Sequence, residues 1–497
     1  MRLSKFILVL FICFQSFLSQ ASDYQVASFG IHSDGLALNT TSIQFAIDYI
    51  NRKGGGRLIF HVGRYLTGSI YLKSNVTLQL EEGAVLLGSL NPFDYERNTW
   101  TALVFAIDQH DIGVTGKGMI DGQGKHVAEN YIPFIEKGFI QDPLMYGRIE
   151  VDKRPMNIYM RNCKNVVIRN IMLKNSASWN QTYDQCKNLV IDHIYVDNKN
   201  YWNEDGLDIV DCDSVVVTNS YIDAADDGIC LKSHDPKLFC NNIFIYNNTI
   251  RSSANGVKLG TVSRGGFKNI RIINNKVYDT YRSAIALEAV DGGFIENIVV
   301  DSLQVYNTGN AIFLRVGERY GDKTSLMKNV SISNVHAEIP ATKPDAGYEY
   351  EGPVEDLPRN VSPAIIITGL PNKKITGVTL NNIQITHPGG GNLHYANVPL
   401  NALDSIPEIP AKYPDFSMFK EIPAWAVYIR HASDIKFSNI TLTAVKKDYR
   451  VAVVLDDVQN AKFTLMSVKQ PNQKDIFYLH KSSGIVIDKS IKTSSAK

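Results

Sequence analysis

Cys163-Lys-Asn-Val-Val-Ile168 returns as Cys186-Lys-Asn-Leu-Val-Ile191, as Cys212-Asp-Ser-Val-Val-Val217 and as Cys240-Asn-Asn-Ile-Phe-Ile245. The pattern continues without the cysteine in Lys268-Asn-Ile-Arg-Ile272, Glu296-Asn-Ile-Val-Val300 and Lys328-Asn-Val-Ser-Ile332, and weakly in Gly377-Val-Thr-Leu380 and Asp434-Ile-Lys-Phe437. Each copy is a short β-branched strand and an Asn-rich corner, then a second strand such as Ile171-Met-Leu173 or Ile194-Tyr-Val196. Copies start mostly 23 to 32 residues apart. A unit that short cannot bury its own apolar face and must stack on its neighbours. Helical solenoids need amphipathic helices, which the repeats lack, whereas alternating β-branched strands suit a parallel β-helix. The expected fold is therefore all-β, a single-stranded right-handed parallel β-helix. Stacked coils at about 4.8 Å turn each repeat position into a ladder. Cys163, Cys186, Cys212 and Cys240 would form one such ladder of packed thiols, with no disulfide framework, and the recurrent Asn would form another or serve a left-handed turn.

Outward from the repeats, the chain changes character at both ends. In the segment 22–89, Thr40 to Asn51 carries Ile43, Ala46, Ile47 and Ile50 on one helical face, with Asn39 or Thr40 as N-cap and Gly54-Gly-Gly56 as terminator. A helix covering the open end of the solenoid is the expected cap, and residues 90–485 form the β-helix proper. Pro388 to Pro423, rich in Gly and Pro, interrupts the rhythm as a long loop over one flank. At the extreme N-terminus, Arg2 and Lys5 precede an apolar run, Phe6 to Leu18, and Ser19-Gln20-Ala21 reads as a cleavage site. Residues 1–21 are thus expected to be a signal peptide and the mature chain secreted or periplasmic. Lys+Arg number 51 and Asp+Glu 50 over 497 residues. This balance gives no reason to expect nucleic acid or a membrane surface as partner, and a monomer is expected.

The chemistry concentrates on two consecutive coils. Trp202-Asn203-Glu204-Asp205-Gly206-Leu207-Asp208 is followed by Ala225-Asp226-Asp227-Gly228-Ile229-Cys230-Leu231-Lys232. Asp-Gly pairs are ordinarily turns, but three aspartates at one height on adjacent coils would repel, raising at least one pKa and keeping an acid protonated.

The chain resembles the polygalacturonases and rhamnogalacturonan hydrolases of glycoside hydrolase family 28, whose pectin-lyase-like solenoid the repeats match. Asn203-Glu204-Asp205-Gly206-Leu207-Asp208 is similar to that family's Asn-Thr-Asp-Gly-x-Asp, and Asp226-Asp227 to its paired aspartate. Phe29-Gly30, Asp34-Gly35, Leu72-Lys-Ser-Asn75, Gly116-x-Gly118-x-x-Asp121-Gly122 and Trp179 agree in order. The resemblance implies an inverting hydrolase of galacturonate-containing pectic glycans, with Asp226 as general acid, Asp205 and Asp227 as bases, and no cofactor or metal. Two departures stand out. Asn255 occupies the place of the family's histidine, and Ala286-Leu287-Glu288 that of an Arg-Ile-Lys run. Glu288 in place of a cation reverses charge at an anion subsite and suggests a neutral sugar there. Lys232, Lys258, Arg282 and Arg315 on consecutive coils are candidates to hold a uronate, alongside Asn203, Asp208 and Asn255 as substrate contacts. Tyr281, Tyr306 and Trp202 are candidates for stacking on sugars, and His234 for the missing imidazole. Two other readings stay open: a calcium-dependent polysaccharide lyase on clustered aspartates, and a carbohydrate-binding protein without catalysis.

Overall fold

A computed structural model describes residues 22–142, 148–320, 325–342, 361–391, 400–471, 476–489 and 491–494; the expected signal peptide lies outside them. Within the described residues the chain winds as a parallel β-helix. Strand Met156–Arg161 pairs in parallel with Gln181–Asp184, which pairs with Leu207–Val210, then Ile229–Ser233. The second and third strands of each coil stack in the same way, as in Lys187–Asp192 on Asp213–Thr218 and Tyr195–Asn198 on Tyr221–Ala224. Pairing begins well before residue 90, since Gly56–Phe60 lies beside Val76–Leu80. One apolar core runs the length of the helix.

The repeat motif explains the coil geometry. Asn165, Asn188, Asn242, Asn269, Asn297 and Asn329 all adopt left-handed φ values between 54° and 58°, a conformation Asn tolerates better than branched residues. Their amides also bond from coil to coil: Asn188 Nδ2 donates to Asn165 Oδ1 at 3.0 Å, and Asn297 Nδ2 to Asn269 Oδ1 at 3.2 Å. Both roles foreseen for this residue thus operate together. Cys163, Cys186, Cys212 and Cys240 are buried and free, and Phe267, Ile295 and Met327 continue the position on later coils.

Helix α1 (Thr40–Arg52) buries Ile43, Ala46, Ile47 and Ile50 as its periodicity requires. Asn39 precedes it, but its side chain bonds to His32 and Ala37 rather than capping the helix. A second helix, α2 (Gly124–Glu136), was not expected from the sequence; it buries Val127, Ala128, Tyr131 and Ile135. The strand rhythm stops at Gly389 and resumes at Ala424, and residues 400–423 pack against the outside of the helix between those points.

Candidate active site

The first strand of every coil turns alternate residues outward, and parallel register stacks them into a column. In order it reads Phe105, Tyr159, Thr182, Asp208, Cys230, Lys258, Ala286, Phe313, Ile366, Tyr428, Val454. The column is apolar at both ends and polar over four coils in the middle. Loops entering these strands stack as well. Gly206 N–H donates to Asp227 O, and Gly228 N–H to Asn255 O, so Asp205, Asp227 and Asn255 fall one above another. The glycines permit it: a Cβ on Gly206 would lie 2.4 Å from Ile222, and one on Gly228 2.4 Å from Ile250. Asp-Gly here is thus a close-packing device.

Two buried lysines organise the acids. Lys232 Nζ donates to Asp205 Oδ2 at 3.0 Å, to Asp208 Oδ1 at 2.5 Å and to Cys230 Sγ at 3.1 Å. Lys258 Nζ donates to Asp227 Oδ2 at 2.9 Å and to Tyr413 Oη at 2.8 Å, with Glu288 3.9 Å away. Asn255 gives Asp227 Oδ1 two more donors, its Nδ2 at 2.8 Å and its backbone N at 3.1 Å. Asp205, Asp208 and Asp227 are buried, whereas Asp226 is half-buried and its carboxylate has no hydrogen-bond partner among the described residues.

Neighbouring carboxyls are therefore driven apart. Burial and the Asp227 charge raise Asp226 above the ordinary range, against the pull of Arg282, Lys258 and Lys232. Burial also pushes Asp227 upward, but Lys258, Lys232 and Arg282 outweigh it and hold the group at about 2. Asp205 is raised by burial against Lys232, and Asp208 is raised to about 6, so these two carboxyls on one ammonium retain a proton more readily than an isolated aspartate. Glu288, buried and with Oε2 unbonded, is pushed up to about 8. Burial thus favours the neutral form of Glu288 over the carboxylate at the place where a charge reversal was expected.

Several expected contacts are redirected. Asn203 accepts a bond from Arg154 Nη2 at 2.9 Å, which fastens the loop ahead of Asp205. Arg282 sits 3.1 Å from Asp415. Arg315 is not brought to the aspartates; its guanidinium donates to Glu408 O at 2.6 Å and lies over the Phe419 ring, anchoring residues 400–423. His234 is held by burial, then by Lys232 and Arg264, at about 4, and its ring bonds to none of the aspartates among the described residues. Tyr281 is buried, Trp202 packs against Arg148, and Tyr306 lies on another face beside Lys276. Among the described residues, Trp179 lies 4.6 Å from Lys232 Nζ and Tyr413 5.1 Å from Lys258 Nζ. Tyr413 and Asp415 lie in the irregular 400–423 segment, where no repeat signals their position. Asp205, Asp227 and Cys230 bring donor atoms within 4.8 Å of one another. The Lys232 ammonium already bonds two of those three residues, and a thiol is a poor partner for calcium, which takes oxygen ligands.

The model of the family described as "Glycosyl hydrolases family 28" matches residues 61–404. The chain belongs to this family. Among curated relatives of this family 28 chain, a probable polygalacturonase of Vitis vinifera is 28% identical over 235 residues, 43% of this chain and 45% of that protein. An exo-poly-alpha-D-galacturonosidase of Dickeya chrysanthemi is 26% identical over 247 residues, 41% of each chain. The match thus spans less than half the length of these relatives. A family 28 exopolygalacturonase of Yersinia enterocolitica shares the fold, with a TM-score of 0.62 and 19% identity over 95% of this chain and 79% of that one.

Proposed function

We propose that this family 28 chain hydrolyses glycosidic bonds in galacturonate-containing pectic glycans with inversion, using Asp226 as acid and Asp227 as base. The observation that carries the reading is the split between two adjacent carboxyls, one raised and half-buried without a hydrogen bond to its carboxylate among the described residues, the other held at about 2 by buried cations. In the reaction Asp226 gives its proton to the glycosidic oxygen as the bond from that oxygen to the anomeric carbon breaks. Water attacks the same carbon from the opposite face and loses its proton to Asp227, leaving one hemiacetal and one free hydroxyl. Asp205, tied to Lys232 and Asp208, orients that water and takes part as the second carboxylate.

Substrate choice follows from what surrounds the acids. Ala286, where the resemblance places an arginine, is fully buried in the apolar packet beneath residues 400–423. The usual uronate clamp is therefore absent from that place, and the cations near a sugar beside Tyr413 are instead Lys258, Arg282 and Arg319, each within 6 Å of its ring. No described helix is long and apolar enough to cross a membrane. Separately, the basic and apolar N-terminal stretch supports export, and the single apolar core along the coils supports one catalytic domain.

The test is product analysis by mass spectrometry on homogalacturonan, rhamnogalacturonan I and their oligomers, for wild type, Asp226→Asn and Asp227→Asn, with and without chelator. Saturated products that persist with chelator and fall 10²- to 10⁴-fold in each variant are expected. Unsaturated, calcium-dependent products would establish a lyase instead.

A further inference from the structure

The outward column of the catalytic face changes from apolar to polar and back to apolar, and each apolar end is covered. On the N-terminal side Phe105 and Tyr159 point outward yet are fully buried, packed with Trp100, Trp179 and Tyr71. The Trp100 and Trp179 rings lie 4.8 Å apart, and Tyr71 stacks on Phe105 at 4.9 Å. On the C-terminal side Ala286, Phe313 and Ile366 point outward and are also fully buried, under Phe416, Met418 and Leu403 of the 400–423 segment. A polysaccharide lying along the column would have to displace one of these packets. Between them four coils remain, about 15 Å at the spacing of stacked strands.

From this we infer that the site is a blind pocket that takes the end of a glycan chain or a short oligosaccharide, with Trp179 and Tyr413 as its facing side walls. The inference rests on the glycosidase reading above and adds the form of the substrate. Both walls are aromatic and each stands over one of the lysines that hold the acids: Trp179 over Lys232, Tyr413 over Lys258. Tyr413 is 44% exposed although Lys258, Arg282 and Asp415 around it are buried, and Lys258, Arg282 and Arg319 lie within 6 Å of its ring, so it is the exposed aromatic group at this edge of the acids. Asp226 is the half-buried member of an otherwise buried cluster of acids. Aromatic rings stack on the apolar faces of sugars and fix where the terminal residue stops.

Two measurements separate this inference from the activity itself. The first follows wild type on a long pectic polymer, recording viscosity, reducing ends and product sizes from the earliest time points. A single short product throughout, with viscosity falling only in step with bonds cleaved, is expected; an early mixed ladder with rapid loss of viscosity overturns the pocket while leaving hydrolysis intact. The second is calorimetric binding to Asp226→Asn, which does not depend on turnover. At equal mass of sugar, a chain a hundred times longer offers a hundredfold fewer ends and should bind about a hundredfold more weakly. Equal affinity per sugar, or no binding of either chain, overturns the inference. Tyr413→Ala should raise KM for oligomers three- to tenfold, whereas Tyr413→Phe keeps the ring and holds KM within twofold; both lose the bond from Lys258, so any fall in kcat is shared by the two. A drop in kcat with unchanged KM would remove Tyr413 from the wall.

Discussion

At the residue scale, the candidate site places like groups in unlike surroundings. Asp226 and Asp227 are neighbours in sequence, yet one is half-buried with no hydrogen bond to its carboxylate among the described residues and the other accepts three hydrogen bonds from Lys258 and Asn255. Asn255 does for Asp227 what a charged imidazole would do, but without titrating. The acid limb of the pH–activity profile should therefore not come from a histidine. With Asp227 held at about 2, the base stays ionised through mildly acidic pH, and activity falls on the alkaline side as Asp226 loses its proton. A pH profile of kcat/KM checks this; an acid limb near pH 6 would point to the Asp205–Asp208 pair as the working base. Glu288 gives a stability prediction of definite sign. Its carboxyl is raised by burial to about 8, so between the unfolded value near 4.5 and 8 the native state binds more protons than the unfolded chain. Stability from this group accordingly declines as pH rises across that window. Glu288→Gln removes the titration, so its stability relative to wild type should be flat below about pH 4.5 and then improve by a few kcal/mol toward pH 8. Denaturant titrations at pH 4, 6 and 8 decide it, and a pH-independent difference would mean Glu288 is ionised in the fold.

At the element scale, the corner between strands carries as much information as the strands. The asparagine of the Lys-Asn motif has two separable roles, a left-handed backbone and an amide rung. Asn269 accepts from Asn297 and donates to Asn241 Oδ1 at 3.1 Å. Asn269→Gly keeps the backbone and loses the rungs; Asn269→Ala loses both. We expect a cost of about 1 kcal/mol for Gly and about 2 kcal/mol for Ala by thermal or chemical denaturation. Equal costs would mean that the left-handed backbone contributes nothing, and a Gly cost near zero would mean the same of the rungs. The same corner made the fold legible, because the repeated strand, the turn residue and the cysteine position recur at intervals only a solenoid produces. The three aspartates were legible for a related reason: consecutive coils put their motifs at one height. Contacts from segments without a repeat were not. Helix α2 does carry a readable Val127, Ala128, Tyr131, Ile135 stripe, but it is a single insertion between coils that no other described repeat shares. Tyr413, Asp415 and the anchoring role of Arg315 depend on where an irregular loop lands, which local sequence does not encode.

At the scale of the whole molecule, a solenoid is a line of nearly equivalent coils, and function requires that a few of them be different. The difference is made by what covers the outward column, and on the C-terminal side that cover is held by a small number of charged anchors. Arg430 is central among them: its Nη1 donates to Ile406 O at 2.8 Å, its Nη2 meets Glu408 at 2.7 Å, and its Nε lies 3.1 Å from the buried Asp456. His431 adds a second contact to Glu408 at 2.9 Å. Removing Arg430 leaves the Asp456 and Glu408 charges less well compensated beneath the loop, but the coils keep their own hydrogen bonds and apolar core. Because each coil leans only on its neighbours, the damage should stay local. Arg430→Met is therefore expected to raise hydrogen–deuterium exchange at least tenfold across 400–422 while strands Leu207–Val210 and Ile229–Ser233 stay protected. Thermal unfolding should shift by only a few degrees. If the loop closes one end of the pocket, the same variant should also begin to release longer products from polymer, coupling the exchange result to the mode of cleavage. Uniform loss of protection along the helix would show instead that residues 400–423 are part of the cooperative core and cannot open without it.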